Sequence, residues 1–168
     1  DDIRCREVRG NTKNIEMAEL VIREYNGLNS TEYFISYESP DKRTLYGFLR
    51  LRINDNDENL IYDELKGCGF VRELHVYGTI VDHAKKEGKV QHRGFGKKMM
   101  KVAEDIVMAR GLRKVAIISG VGVREYYHSQ GYNLIKDYMI KELKEEIRIE
   151  DSFFLFTIIL ITFLFLLW

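Results

Sequence analysis

The stretch Gln91-His92-Arg93-Gly94-Phe95-Gly96-Lys97-Lys98 decides the reading of this chain. It is a Q-x-x-G-x-G turn, and the residues on its two sides have different periodicities. Before it, Phe70 to Val81 has β-type composition throughout, with Glu73 and His75 set into it, as expected of a central strand. After it, Phe95, Met99, Val102, Ala103 and Ile106 recur at helical spacing from Gly94 to Arg110, and Gly111 follows as a C-cap. A glycine-rich turn between a strand and a helix is a cradle for pyrophosphate. Two glycines allow the backbone close to phosphate oxygens, and the first N–H groups of the helix point outward at the positive end of its dipole. Lys97 and Lys98 fall in that first turn, where cations are disfavoured unless an anion is bound. Taken alone, the turn also fits an ordinary tight loop. The third glycine of a dinucleotide fingerprint is absent, and no Lys-Ser/Thr of a P-loop follows, so the two common competitors are excluded.

Outward from this turn, the rest of the chain reads as mixed α/β. Ile15, Ala18, Val21, Ile22 and Tyr25 recur at spacings of three and four, which predicts an amphipathic helix from Asn11 to Gly27. Glu32 to Tyr37 and Thr44 to Ile53 flank Ser39-Pro40-Asp41-Lys42 and predict an antiparallel hairpin. Asn54 to Asn59 has no apolar residue and reads as an exposed loop. On the C-terminal side, Lys114 to Ser119 reads as a buried strand, Val123 to Ser129 as a short helix and Tyr132 to Lys141 as a last strand.

The chain has 168 residues, enough for one globular domain with a core of ordinary size. Its formal net charge of +0, from 26 residues of each sign, argues against coating nucleic acid wholesale and leaves room only for local basic patches. Cys5 and Cys68 have no metal-ligand spacing, so no metal site and no disulfide are expected, and the thiols read as reduced. The opening run Asp1-Asp2-Ile3-Arg4-Cys5-Arg6-Glu7 reads as a cut through a longer protein.

The far end differs in kind. Residues Phe153 to Trp168 carry no charge and are polar only at Thr157 and Thr162, directly after a charged stretch. A helix there would be roughly 24 Å long at ~1.5 Å per residue, the short end of what spans a bilayer core of ~30 Å. The expected division is a domain over 1–143, a charged linker over 144–152 and a C-terminal transmembrane helix over 153–168. A core helix packed on the domain is the competing reading. Lys141, Lys144 and Arg148 before the segment place the bulk of the protein in the cytosol, on the face of an organelle membrane.

Several segments carry a resemblance. Val71-Arg72-Glu73-Leu74-His75-Val76-Tyr77-Gly78, the Gln91 to Gly96 turn, Ile118-Ser119-Gly120-Val121-Gly122-Val123-Arg124, Tyr126-Tyr127 with Gly131-Tyr132, and Tyr138-Met139-Ile140-Lys141 occur in order. In this order and spacing the chain resembles the acetyltransferase half of the Elongator catalytic-subunit family, which is of the GNAT type. The likeness runs from about Asp1 to Leu143. It departs from the common eukaryotic pattern at Val81-Asp82-His83 and at Lys136-Asp137.

The resemblance implies a GNAT α/β fold, a mixed central sheet with flanking helices, that binds acetyl-CoA. By it, Glu73, Leu74, His75 and Val76 would pair with the pantetheine arm, and Gln91, Gly94, Phe95, Gly96 and Lys97 would hold the pyrophosphate. Tyr127 would sit near the thioester sulfur, and Tyr127, Tyr126 and Glu73 are the candidate catalytic residues. A buried tyrosine hydroxyl can donate to a departing thiolate, and a carboxylate can take a proton. The family modifies the wobble uridine of tRNA toward carboxymethyluridine, with a radical-SAM half that uses S-adenosylmethionine and a 4Fe-4S cluster. This chain lacks the three-cysteine motif for such a cluster. Implied partners are tRNA, other Elongator subunits and, through 153–168, a membrane. Similar tails in members from parasitic protists favour the mitochondrial outer membrane over the endoplasmic reticulum. The alternative activity is protein lysine (histone) acetylation.

Overall fold

The computed structural model describes residues 3–8, 15–58, 60–77 and 94–144. Among them, β1 (Glu19–Gly27), β2 (Ser30–Glu38), β3 (Leu45–Asn54) and β4 (Cys68–Val76) form an antiparallel meander. Then come α1 (Phe95–Ala109), β5 (Lys114–Ile118), α2 (Arg124–His128), β6 (Asn133–Ile135) and β7 (Tyr138–Glu142). The seven strands make one sheet in the order β1-β2-β3-β4-β5-β7-β6, and only the β4–β5 pair is parallel. This is the mixed α/β architecture expected.

Alternation along the strands assigns the two faces. Tyr33, Ile35 and Tyr37 of β2 and Leu49, Leu51 and Ile53 of β3 join Met99, Ala103 and Val107 of α1 in the main core. Tyr126 and Tyr127 of α2 join the same cluster, so both helices lie on one face. A smaller cluster on the opposite face places Leu65 over Cys68, Ala116 and Ile140. The helix approaches most closely at Gly69, where a Cβ would collide with the Val107 side chain. Gly69→Ala should therefore destabilise the fold by about 1–3 kcal/mol through overpacking. Chemical denaturation would check this, and an unchanged midpoint would contradict the packing described.

Two polar networks cross the interior. Glu104 of α1 accepts hydrogen bonds from Tyr132 Oη at 2.8 Å and Lys141 Nζ at 2.9 Å, which ties the helix to β7. Glu38 is fully buried and accepts from Arg23 at 2.6 Å, Ser36 at 2.7 Å and Arg6 at 2.5 Å. Burial alone would raise the Glu38 pKa, but the bonds from Arg23, Ser36 and Arg6 outweigh it and hold the carboxyl down at about 2. A folded pKa below the unfolded value gives stability that is complete above about 4.5 and is lost as pH falls toward about 2. Glu38→Gln should cost roughly 3 kcal/mol near neutrality and flatten that acid limb. Urea unfolding at a series of pH values reads both effects.

The structure corrects the expected first helix. Residues 19–27 form edge strand β1, paired with β2 over nine positions from Glu19↔Glu38 to Gly27↔Ser30, Ile15–Met17 makes a 3-10 turn, and residues 11–14 of the expected helix lie outside the described residues. The last strand also divides, because Lys136 takes positive φ between β6 and β7. The central strand ends at Val76, and residues 78–81 of the expected run lie outside the described residues, as does the tail 153–168. Among the described residues no helix is long and apolar enough to cross a membrane.

Candidate cofactor cleft

β4 holds two partners for part of its length and one for the rest. Cys68 to Val71 pair with Lys114 to Ile117 of β5, and that ladder ends there. On the other side β4 stays paired with β3 through Val76↔Gly47. The register explains the parting. Leu51 faces Val71 but Arg50 faces Glu73, so Arg72 is an extra residue on β4, and a bulge of this kind bends and twists its strand. From Arg72 to Val76 the edge of β4 toward β5 has no strand partner among the described residues. Backbone N–H and C=O groups are thereby left for something that can act as a strand.

The mouth of this opening is the start of α1. Gly94 has φ of 69°, a conformation that favours glycine, and the helix has neither a side-chain cap nor an acidic residue in its first turn. Among the described residues its leading N–H donors therefore lack the partners that normally satisfy them. Phe95 is buried and stacks on Tyr37 at 4.1 Å, which fixes the turn to the core, while Lys97 and Lys98 are exposed. A Cβ on Gly96 would lie 2.6 Å from Tyr126 Oη and 3.5 Å from Val76 Cγ2. The helix start, the end of β4 and α2 thus converge on Gly96, and only a residue without a side chain fits.

Of the residues expected to act here, Leu74 and Val76 turn toward the main core, while Glu73 and His75 lie on the other face of β4. Glu73 lies 3.2 Å from His75 Nε2 and 3.6 Å from Arg50, whereas Arg72 pairs with Glu32. Tyr127 is 7% exposed and packs edge-on against Tyr126 and Tyr132. Burial, with the neighbouring Tyr126, pushes the Tyr127 hydroxyl up to about 12, so it stays protonated at neutral pH. Tyr126 is half-buried and its pKa is also raised by burial. Gln91 lies outside the described residues.

Two groups escaped sequence reasoning. Ser119 Oγ and Arg124 Nε, in the connection from β5 to α2, are buried without a hydrogen-bond partner among the described residues. Buried polar atoms normally find partners, so these two mark where a polar ligand would be satisfied. Both stand in the quoted Ile118 to Arg124 segment, but their burial could not be read from it. An open strand edge, an uncapped helix start beside Gly96 and orphaned polar groups suit an elongated ligand that carries amide groups and a pyrophosphate.

No family model matches the chain. Over 152 residues it is 43% identical to Elongator complex protein 3 of Drosophila melanogaster, and over 153 residues 42% identical to that of Homo sapiens. These alignments take in 86% and 84% of this chain but 27% and 28% of the relatives, so the chain spans just over a quarter of their length. Among solved structures, Methanocaldococcus infernus Elp3 with an N-terminal deletion superposes with a TM-score of 0.68 at 38% identity. That match covers 84% of this chain and 35% of the archaeal one.

Proposed function

We propose that this chain, homologous to a stretch of Elongator complex protein 3, is an acyltransferase domain that binds acetyl-CoA and activates its acetyl group. The single observation that carries the reading is the parting of β4 from β5 beside the Gly96 helix start. The backbone of Glu73 to Val76 pairs with the pantetheine amides in place of a strand. The N–H groups following Gly94 take the pyrophosphate, with Lys97 as counter-charge and Gln91 before the turn. Bound acetyl-CoA supplies an electrophilic thioester. Tyr127, protonated at neutral pH, donates to the departing sulfur, and Tyr126 helps shape its pocket. Glu73, 3.2 Å from His75 Nε2, takes the proton of the incoming nucleophile from the other face of the sheet.

The acceptor in this reading is the wobble uridine of tRNA, modified toward carboxymethyluridine in a larger protein. The S-adenosylmethionine and 4Fe-4S sites lie in its other half, and further Elongator subunits complete the assembly. In the same reading residues 153–168 anchor the protein to the mitochondrial outer membrane, which their uncharged composition supports. Carbonate extraction of the whole chain and of one ended at Glu150 tests the anchor, and equal extraction of both contradicts it.

The deciding experiment supplies labelled acetyl-CoA with either tRNA or a histone peptide. RNA-stimulated release of acetate or CoA is expected. Acetylation of the peptide lysine with no response to RNA would favour the protein acetyltransferase reading instead.

A further inference from the structure

The face of the sheet opposite α1 and α2 carries no α-helix among the described residues, yet it is not a bland solvent face. Phe34 of β2 stacks on Phe48 of β3 at 5.3 Å, and Phe48 stacks on His75 of β4 at 5.5 Å. The three rings cross the sheet and end beside Glu73. A cleft of about 570 Å³ lies at the other end, where Phe34, Tyr25, Arg23, Arg50 and the carboxylate residue Glu32 are among the lining residues. Tyr25 is 53% exposed.

The charges around this ladder are unevenly matched. Glu38 is shared by Arg6 and Arg23, Glu32 by Arg52 and Arg72, and Glu73 meets Arg50 only at 3.6 Å. Two guanidinium groups on one carboxylate leave positive charge over. In a chain whose net charge is zero, this surplus is a matter of placement. Phe48 is buried and Phe34 half-buried, while Tyr25 and His75 are exposed on either side of them, and exposed rings among arginines suit an anionic strand that can lay its bases flat. Unpaired RNA does so, whereas a duplex keeps its bases stacked inside. Rings and arginines also occur in protein interfaces, but carboxylates are depleted there, and this face holds Glu32, Glu38 and Glu73.

We propose that the helix-free sheet face is a platform for single-stranded RNA. Bases stack on Phe34 and Tyr25, phosphates meet Arg50, Arg52 and Arg72, and the strand leads toward His75 and Glu73. The proposal rests on the reading of the chain as an acyltransferase acting on RNA and adds where that RNA lies. Stacking on Phe34 extends the ring ladder at the end away from Glu73, and the strand crosses Phe48 to reach the proposed proton acceptor.

The test is fluorescence anisotropy of the full chain with a labelled RNA stem–loop, and with the same RNA annealed to its complement, across a salt series. The parent should prefer the stem–loop. Phe34→Leu keeps apolar packing but removes the ring and should weaken binding about tenfold. Tyr25→Ala, on an exposed residue, should weaken it several-fold, and Arg50→Ala should lower the salt slope by about one. Acetyl-CoA affinity, measured alongside, should be unchanged in Phe34→Leu and Tyr25→Ala. Parent-like RNA binding by all three variants overturns the proposal, as does equal affinity for the duplex. If Phe34→Leu instead loses association with the other half of an Elongator-type protein while binding RNA normally, the face is a protein interface and the proposal fails. A parent chain that binds the stem–loop but no acetyl-CoA sinks the acyltransferase reading and leaves the RNA surface standing.

Discussion

Gly96→Trp is expected to remove coenzyme A binding altogether. The position has no room: a Cβ alone would come within 2.6 Å of Tyr126 Oη and 3.5 Å of Val76 Cγ2. An indole must either push α2 away or fill the space in front of the first N–H groups of α1. Losing three backbone donors to the pyrophosphate, at about 1.5 kcal/mol each, weakens binding by roughly 10³-fold. Calorimetric titration with CoA should register no heat, while far-ultraviolet circular dichroism shows the sheet and helix intact. CoA affinity equal to the parent's would remove the cleft from consideration.

Tyr127→Phe should have a different signature. The ring stays, so its edge-on contacts with Tyr126 and Tyr132 persist and acetyl-CoA affinity should hardly change. The hydroxyl, protonated at neutral pH because its pKa is pushed up to about 12, is lost. Release of CoA should slow by roughly 10²-fold, the usual scale for one positioned acid. The split matters as much as the size. A rise in the dissociation constant with no change in turnover would make Tyr127 a packing residue.

Much of the cleft was legible because its chemistry is local. The Gly94-Phe95-Gly96 turn, the helix after it and the Tyr126-Tyr127 pair are short-range patterns, and the structure sets Gly96 against Tyr126. The parting of β4 from β5 was not legible. It depends on a bulge at Arg72 that exists only relative to β3, and no property of Val71-Arg72-Glu73 marks it. The error over β1 has the same root. Ile15, Ala18, Val21, Ile22 and Tyr25 satisfy a helical spacing, but nine residues of pairing with β2 override it. As an edge strand it leaves Leu20, Ile22 and Tyr25 largely exposed, so no clean alternation advertised its fold. Arg50, Arg23 and Phe34 were passed over because each looks like an ordinary strand residue until register sets them side by side.

Only four residue pairs join β4 to β5, against nine between β1 and β2, so the middle of the sheet is a weak seam. The meander of four strands and the β5–β7–β6 half can loosen there without either unravelling, so amide hydrogens near the seam should exchange faster than those of β2 and β3. A ligand lying along the open edge would act as mortar between the halves. The melting temperature should then climb with cofactor concentration well past saturation, at about 1.4 kcal/mol of added stability per tenfold excess. In a cell, acetyl-CoA supply would thereby set how long the domain survives proteolysis as well as how fast it works.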